Sequence, residues 1–443
     1  MTDNSFIKPK ERAAILDSLR AGVVPRIGQR HIQVGRAREV EALVQNIDRI
    51  REGGSAIRFV IGEYGSGKTF FLNLIRSIAL EKKLVALHAD LTVDRRLQST
   101  GGHARSLYAE LVRNASTRAK PDGNALPSIV ERFVTSAMEE AEQQGCSPQV
   151  VIQERIKSLS ELLGGYDFSQ VILAFWRGHD TGNETLKSDA LRWLRGEFAT
   201  KTEARQALGV RVIVEDANIY DQLKLLALFV RLAGYGGILV CLDEMVNLYK
   251  ITQTQSRNSN YEQILRIVND CLQGSVSGLG FLFGGTPDFL MDPRRGLYSY
   301  PALQGRLSEN RFLKDGLADY SGPVLRLSNL TQEELFILLK NLIHIYANGD
   351  PRAYLLPEQG IKSFMAHCSQ KIGEAYFRTP RTTITSFLSM LAVLEQNPGV
   401  NLSDLIEHLP VPGDANPDLS AIDDSSSESL PAQSNDDLTS FKL

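Results

Sequence analysis

Cysteine is sparse. The four present, Cys146, Cys241, Cys271 and Cys368, stand far apart with no C-x-x-C pair. That spacing argues against both a zinc site and a disulfide framework, and leaves buried, reduced thiols as the expectation. Long apolar runs are missing too. The longest lies near Leu232–Leu242, well short of the ~20 residues that a membrane-spanning helix needs. The opening stretch, MTDNSFIKPKERAA, has no apolar h-region, so the expected location is cytoplasmic, with no membrane partner. Nor is there an excess of one charge. A formal net charge of -3 and a pI near 6.2 create no global basic field, so any contact with nucleic acid has to come from a local patch. What remains is an ordinary globular composition, 43% hydrophobic and 23% charged over 443 residues. A chain of that length suggests about two domains and a core that needs no staples.

Helical spacing of apolar residues (Ala13, Ile15, Leu16, Leu19) predicts a helix over 8–22, and Glu39–Arg51 reads as a second. Both precede the first strand and are expected to cap the base. Short apolar runs then predict buried strands at Ala56–Ile61, Leu84–Ala89, Ile238–Leu242, Leu279–Phe283 and Val324–Leu327. These runs do not alternate and are separated by helical segments, which implies an α/β fold with a mostly parallel sheet covered on both faces. In such sheets, ligand chemistry sits at the carboxyl ends of the strands. The stretch from about 105 to 222 is too long for a simple crossover and reads as a helical insertion. Residues 331–396 are helical again, with Thr331 as N-cap and Glu334 three residues on, as in a capping box. From Val411 the tail turns acidic and polar, with seven acids against one base, a composition that cannot bury enough apolar surface to order itself. The expected division is therefore a nucleotide-binding domain over 1–330 that contains the insertion, a helical lid over 331–410, and a disordered tail over 411–443.

One window carries the chemistry. Residues Gly62, Glu63, Tyr64, Gly65, Ser66, Gly67, Lys68 and Thr69 spell GEYGSGKT, followed by Phe70, between a strand and a helix. Glycines at those positions let successive backbone N–H groups turn inward on a phosphate, and the helix N-terminus adds partial positive charge. Lys68 is expected to reach the β and γ phosphates, and Thr69 to ligate Mg²⁺ through its hydroxyl. A second strand, GILVCLDE, ends in Asp243 and Glu244. Asp243 suits the Mg²⁺ water shell, and Glu244 is placed to polarise an attacking water, which makes the site hydrolytic rather than only binding. A third strand end presents Thr286 where a γ-phosphate could be sensed. Arg306, Arg311, Arg378 and Arg381 are the basic residues able to stabilise transition-state charge.

In this order the motifs resemble the AAA+ superfamily of P-loop ATPases: Gly35, Arg36 and Glu39 before the first strand, GEYGSGKT, the acidic pair, a polar sensor, and a helical lid carrying a Pro-Arg. The resemblance implies ATP as nucleotide, Thr286 as sensor 1, Arg381 as sensor 2 reaching from the lid, and Arg306 or Arg311 as a finger offered to a neighbouring protomer. It thereby implies a homo-oligomer. More narrowly, HADLTVDRRL (88–97), LYAELVRNAS (107–116), RWLRGE (192–197) and FLFGGTPDFL (281–290) look like the ATP-binding P-loop subunits of bacterial BREX-type phage-defence clusters. That likeness implies other defence-system proteins as partners, and DNA as a target. Two functions fit: an oligomerising ATPase motor or switch, and an ATP-gated scaffold or DNA-recruitment adaptor with little turnover. Glu244 discriminates between them, because a pure binder has no need of it.

Overall fold

Both faces of a central sheet are covered in the computed structural model, which describes residues 7–98, 100–310, 319–372 and 380–407. The five apolar runs form β1 (Ser55–Gly62), β2 (Val85–Asp90), β3 (Ile238–Asp243), β4 (Leu279–Gly285) and β5 (Val324–Leu327). They pair in the order β2-β3-β4-β1-β5, every pair parallel. Burial on both faces explains why these strands read as continuous apolar runs. The pleat still shows in which core each side chain joins. Ile57, Phe59 and Ile61 enter one layer, whereas Ala56 and Val60 enter the other.

The layer holding Ala56 and Val60 is completed by α2 (Ala37–Arg51) and α3 (Lys68–Glu81) through Leu43, Ile47, Phe71 and Ile75. The opposite layer is built from helices between β2 and β3: α4 (His103–Arg113), α5 (Leu126–Gln144), α6 (Pro148–Ile156), α7 (Gly165–Thr181), α8 (Glu184–Leu194), α9 (Lys201–Leu208) and α10 (Ile219–Leu232). Their aromatic residues interlock: Phe229 packs against Phe133 at 5.1 Å and Phe168 at 5.6 Å between ring centres. Trp193 joins Phe168 edge-on and donates its indole N–H to the Val212 carbonyl at 2.8 Å. These residues share one continuous core with Phe59, Phe281 and Phe283 of the sheet.

After β3 come α11 (Val246–Tyr249) and α12 (Thr254–Gln273), and after β4 come α13 (Pro287–Met291) and α14 (Pro301–Leu307). The C-terminal helices are α15 (Gln332–Tyr346), α16 (Glu358–Ile372), Pro380–Gln396 and Leu402–Glu407. The capping box read from the sequence is present. Thr331 Oγ1 accepts the Glu334 N–H at 3.2 Å, and the Glu334 carboxylate accepts the Thr331 N–H at 2.9 Å.

The first helix departs from expectation. Instead of capping the base with α2, α1 (Pro9–Arg20) packs among the C-terminal helices, where Ile15 and Leu16 join Leu335, Leu339, Phe387 and Leu391. Arg12 donates to the carbonyls of Ile345 (3.0 Å) and Tyr346 (2.6 Å) in the last turn of α15, where helix carbonyls run out of intrahelical partners. With both sheet faces already occupied, its apolar side is buried here instead.

At the sheet edge, Ser116 bridges Ala86 of β2, and His88 lies largely enclosed behind it. Burial, then the nearby charges of Arg76 and Arg26, push its imidazole down to about 4. Protonation therefore favours the unfolded chain, whose imidazole titrates near 6.5. The sign follows: full stability above about pH 6.5, loss as pH falls from there to about 4, and no further loss from this group below. Replacing His88→Gln is expected to flatten the dependence of unfolding free energy on pH in that window by up to ~1.4 kcal/mol per pH unit. Urea titrations at pH 6.5 and 4.5 measure it, and equal slopes in both proteins would contradict the assignment.

Candidate functional site

The carboxyl end of β1 turns into α3 through Gly62–Gly67. Gly65 and Gly67 have φ of 79° and 81°, a region glycine enters without steric cost, and this lets neighbouring amides face one centre. No side chain caps α3, and its first turn holds no acid. The partial positive charge at that helix start is thus left to an incoming anion. The Lys68 ammonium donates to the carbonyls of Gly62 and Glu63, both at 2.9 Å, and so lies along the loop. Ser66 Oγ is buried without a hydrogen-bond partner among the described residues.

The second element arrives from β3. Asp243, 8% exposed, accepts the Thr69 hydroxyl proton at 2.7 Å through Oδ2 and the Glu244 N–H at 2.9 Å through Oδ1. A hydroxyl and a carboxylate at this separation fit Mg²⁺, a hard cation that takes few protein ligands and keeps several waters. The described residues hold no cluster of three or more His, Cys, Asp or Glu able to bind a metal by themselves. A cation here would therefore complete its shell from phosphate and water. Glu244 is exposed and adopts φ of 56°. A non-glycine residue held in the left-handed region costs on the order of 1–3 kcal/mol and persists where the surroundings enforce it. They do so here: the Met245 N–H bonds the Gly284 carbonyl at 3.0 Å, and Asn247 Nδ2 bonds the Leu91 carbonyl at 2.7 Å.

Thr286, 7% exposed, lines the same cavity and accepts the Phe289 N–H at 3.3 Å as N-cap of α13. Arg381 reaches the loop from the C-terminal side: Nη1 donates to the Tyr64 hydroxyl at 3.3 Å, and its guanidinium lies 5.8 Å from the Tyr64 ring centre. Arg306 is not part of this gathering. It is directed to Asn269 Oδ1 and the Ala302 carbonyl on the α12–α14 surface. Arg311 and Arg378 lie outside the described residues.

These groups line a cavity of about 240 Å³. The apolar half of its lining comes from Val24, Ile32 and Val34 before α2, Leu330 and Leu338, and Ile384. A lining that combines loop amides, an ammonium and carboxylates with apolar side chains suits a nucleotide, whose phosphates need the first and whose base the second. Sequence reasoning missed the apolar half. The only signal was the run of Val23, Val24, Ile32 and Val34, which carries no motif. It also left Asp90 unassigned. That carboxylate is the β2 register partner of Asp243, and burial followed by the Asp243 charge raises its pKa.

A family model described as BREX system ATP-binding protein BrxC/D matches residues 7–409. The chain belongs to this family. None of the curated proteins compared matches it. As a BrxC/D member the chain is an ATP-binding protein of a BREX system, and the family name implies further components of that system as its company. For this family member, no helix among the described residues is long and apolar enough to cross a membrane.

Proposed function

We propose that the chain is an AAA+ type ATPase that hydrolyses ATP, works as an oligomerising motor or switch, and acts with its BREX partners on DNA. The observation that carries the hydrolytic reading is the meeting of Thr69 and Asp243 at 2.7 Å, with Glu244 next in the chain at the cavity mouth. Loop amides from Gly62 to Gly67 and the Lys68 ammonium hold the phosphates. Thr69 and Asp243 would hold Mg²⁺, which when bound would supply positive charge to offset that of the phosphates. Glu244 orients a water and accepts its proton as the water oxygen bonds to the γ-phosphorus. The bond to the β–γ bridging oxygen breaks, its electron pair leaves with ADP, and inorganic phosphate is released.

In this reading residues 1–330 form the nucleotide domain, the helices over 105–222 are an insertion within it, and 331–410 form a lid that brings Arg381 over the phosphates. Thr286 senses the γ-phosphate. The contact of Arg381 with Tyr64 supports the lid role, because it already spans from helix Pro380–Gln396 to the phosphate loop. Arg306, exposed and away from its own cavity, serves a neighbouring protomer, so that full transition-state charge is assembled only between copies. Turnover per chain is therefore expected to rise with protein concentration, and to rise further with duplex DNA. Phosphate release measured over a dilution series tests this. Turnover that stays constant on dilution would remove the trans arginine. ATP bound with no turnover would favour the nucleotide-gated adaptor.

A further inference from the structure

Arg36 stands where three parts of the molecule meet. Gly35 and Arg36 both lie in the left-handed region, with φ of 61° and 58°. For arginine that conformation is rare enough to ask what it achieves. From there the guanidinium donates through Nη2 to the carbonyl of Ser66 in the phosphate loop and, at 3.1 Å, to the carbonyl of Ser328. Ser328 directly follows β5 and opens the connection to α15. The third neighbour is Glu334 in the first turn of α15, packed so closely that a Cβ on Gly35 would overlap its carboxylate. The side chain is largely enclosed and passes 5.9 Å from the Phe71 ring centre. Burial weakens its hold on the proton, while Glu334 and then Glu39 work the other way.

Ser66 C=O and Gly67 N–H belong to one planar, trans peptide, so they point in opposite directions. Turning that N–H inward on a phosphate turns the carbonyl outward, toward Arg36. The peptide that reads the phosphate is therefore the peptide that Arg36 grips, and the guanidinium's other bond goes to Ser328, in the segment that leads from β5 into α15. We propose that Arg36 is a positioning residue that couples ATP on the phosphate loop to the orientation of α15 and the helices packed on it. The proposal rests on the ATP-site reading above. Both bonds leave from one nitrogen, Nη2, which the planar guanidinium holds at a fixed reach and orientation; a lysine ammonium on its flexible stem keeps the charge but not that placement.

The test uses the full chain with spin labels at Glu52→Cys, at the end of α2, and Gln396→Cys, at the end of helix Pro380–Gln396; both positions are exposed. Cys146→Ser removes the exposed native thiol, and the other three cysteines are buried. In this parent, saturating ATP is expected to shift the distance between labels. In Arg36→Met, ATP binds about tenfold more weakly by calorimetry, yet at saturation the labels keep the ATP-free distance. Arg36→Lys repeats the comparison with the charge retained, and serves alone if the Met variant does not fold. The same ATP-driven shift in either variant as in the parent overturns the proposal, and so does an ATP-bound parent that shows no shift. A parent that does not bind ATP at all contradicts the ATP-site reading itself, and the coupling falls with it.

Discussion

Glu244→Gln is expected to hold ATP with affinity close to that of the unaltered chain and to lose hydrolysis by roughly 10²–10⁴-fold, the usual contribution of a positioned general base. The amide keeps the size and shape of the carboxylate but cannot accept the proton of the attacking water. The backbone gives no reason for wider damage. Gln meets the same steric cost at φ of 56° as Glu does, and the anchoring bonds use the main-chain N–H groups of residues 244 and 245 and the Asn247 side-chain amide. Calorimetry and phosphate release separate binding from turnover. A variant that turns over normally would remove Glu244 from the mechanism, and one that loses ATP binding would give it a structural role instead.

Lys68→Ala has the opposite signature. The ammonium spans no packed core; its two loop-carbonyl bonds, to Gly62 and Glu63, are within the loop itself. Removing it should leave the ATP-free protein about as stable as before. Its cost appears on adding ATP. Loss of charge-assisted contacts worth roughly 1.5–3 kcal/mol each corresponds to at least about ten- to a hundredfold weaker binding, with turnover abolished. A ligand at 100 times its Kd raises unfolding free energy by about 2.7 kcal/mol. The unaltered chain should show such a gain, and Lys68→Ala at the same ATP concentration should show only about 0.4–1.4 kcal/mol of it. Thermal unfolding with and without Mg·ATP measures both, and equal shifts would move the phosphates away from this loop.

How much of this was legible in the sequence depended on whether the determinant was local. The strands were legible because a parallel strand buried on both faces is an unbroken apolar run, and Val324–Leu327 spans β5 as read. The start of α15 was legible because a capping box needs only Thr331 and Glu334, three positions apart. The glycine-rich loop Gly62–Gly67 and the Asp243–Glu244 pair were visible as strings, and the hydrogen bond from Thr69 to Asp243 joins residues far apart in the chain. What stayed hidden was assembled from distant segments. The apolar chamber draws on Val24–Val34, Leu330, Leu338 and Ile384, which share no spacing. The seat of α1 was hidden for the same reason. Amphipathic spacing says that a helix buries one side and does not say against what, and Ile15 and Leu16 found the C-terminal helices rather than the sheet. Arg36 could be marked only by likeness, since its grip on Ser66 and Ser328 exists only once β1 and β5 lie side by side.

The most direct test of the account is single-turnover hydrolysis of γ-labelled ATP by the unaltered full chain in the presence of Mg²⁺, with Glu244→Gln run beside it. The account predicts that labelled phosphate is released by the unaltered chain and that the same nucleotide stays intact and bound on the variant. ATP bound tightly but uncleaved by both proteins, at every protein concentration and with or without duplex DNA, would contradict it.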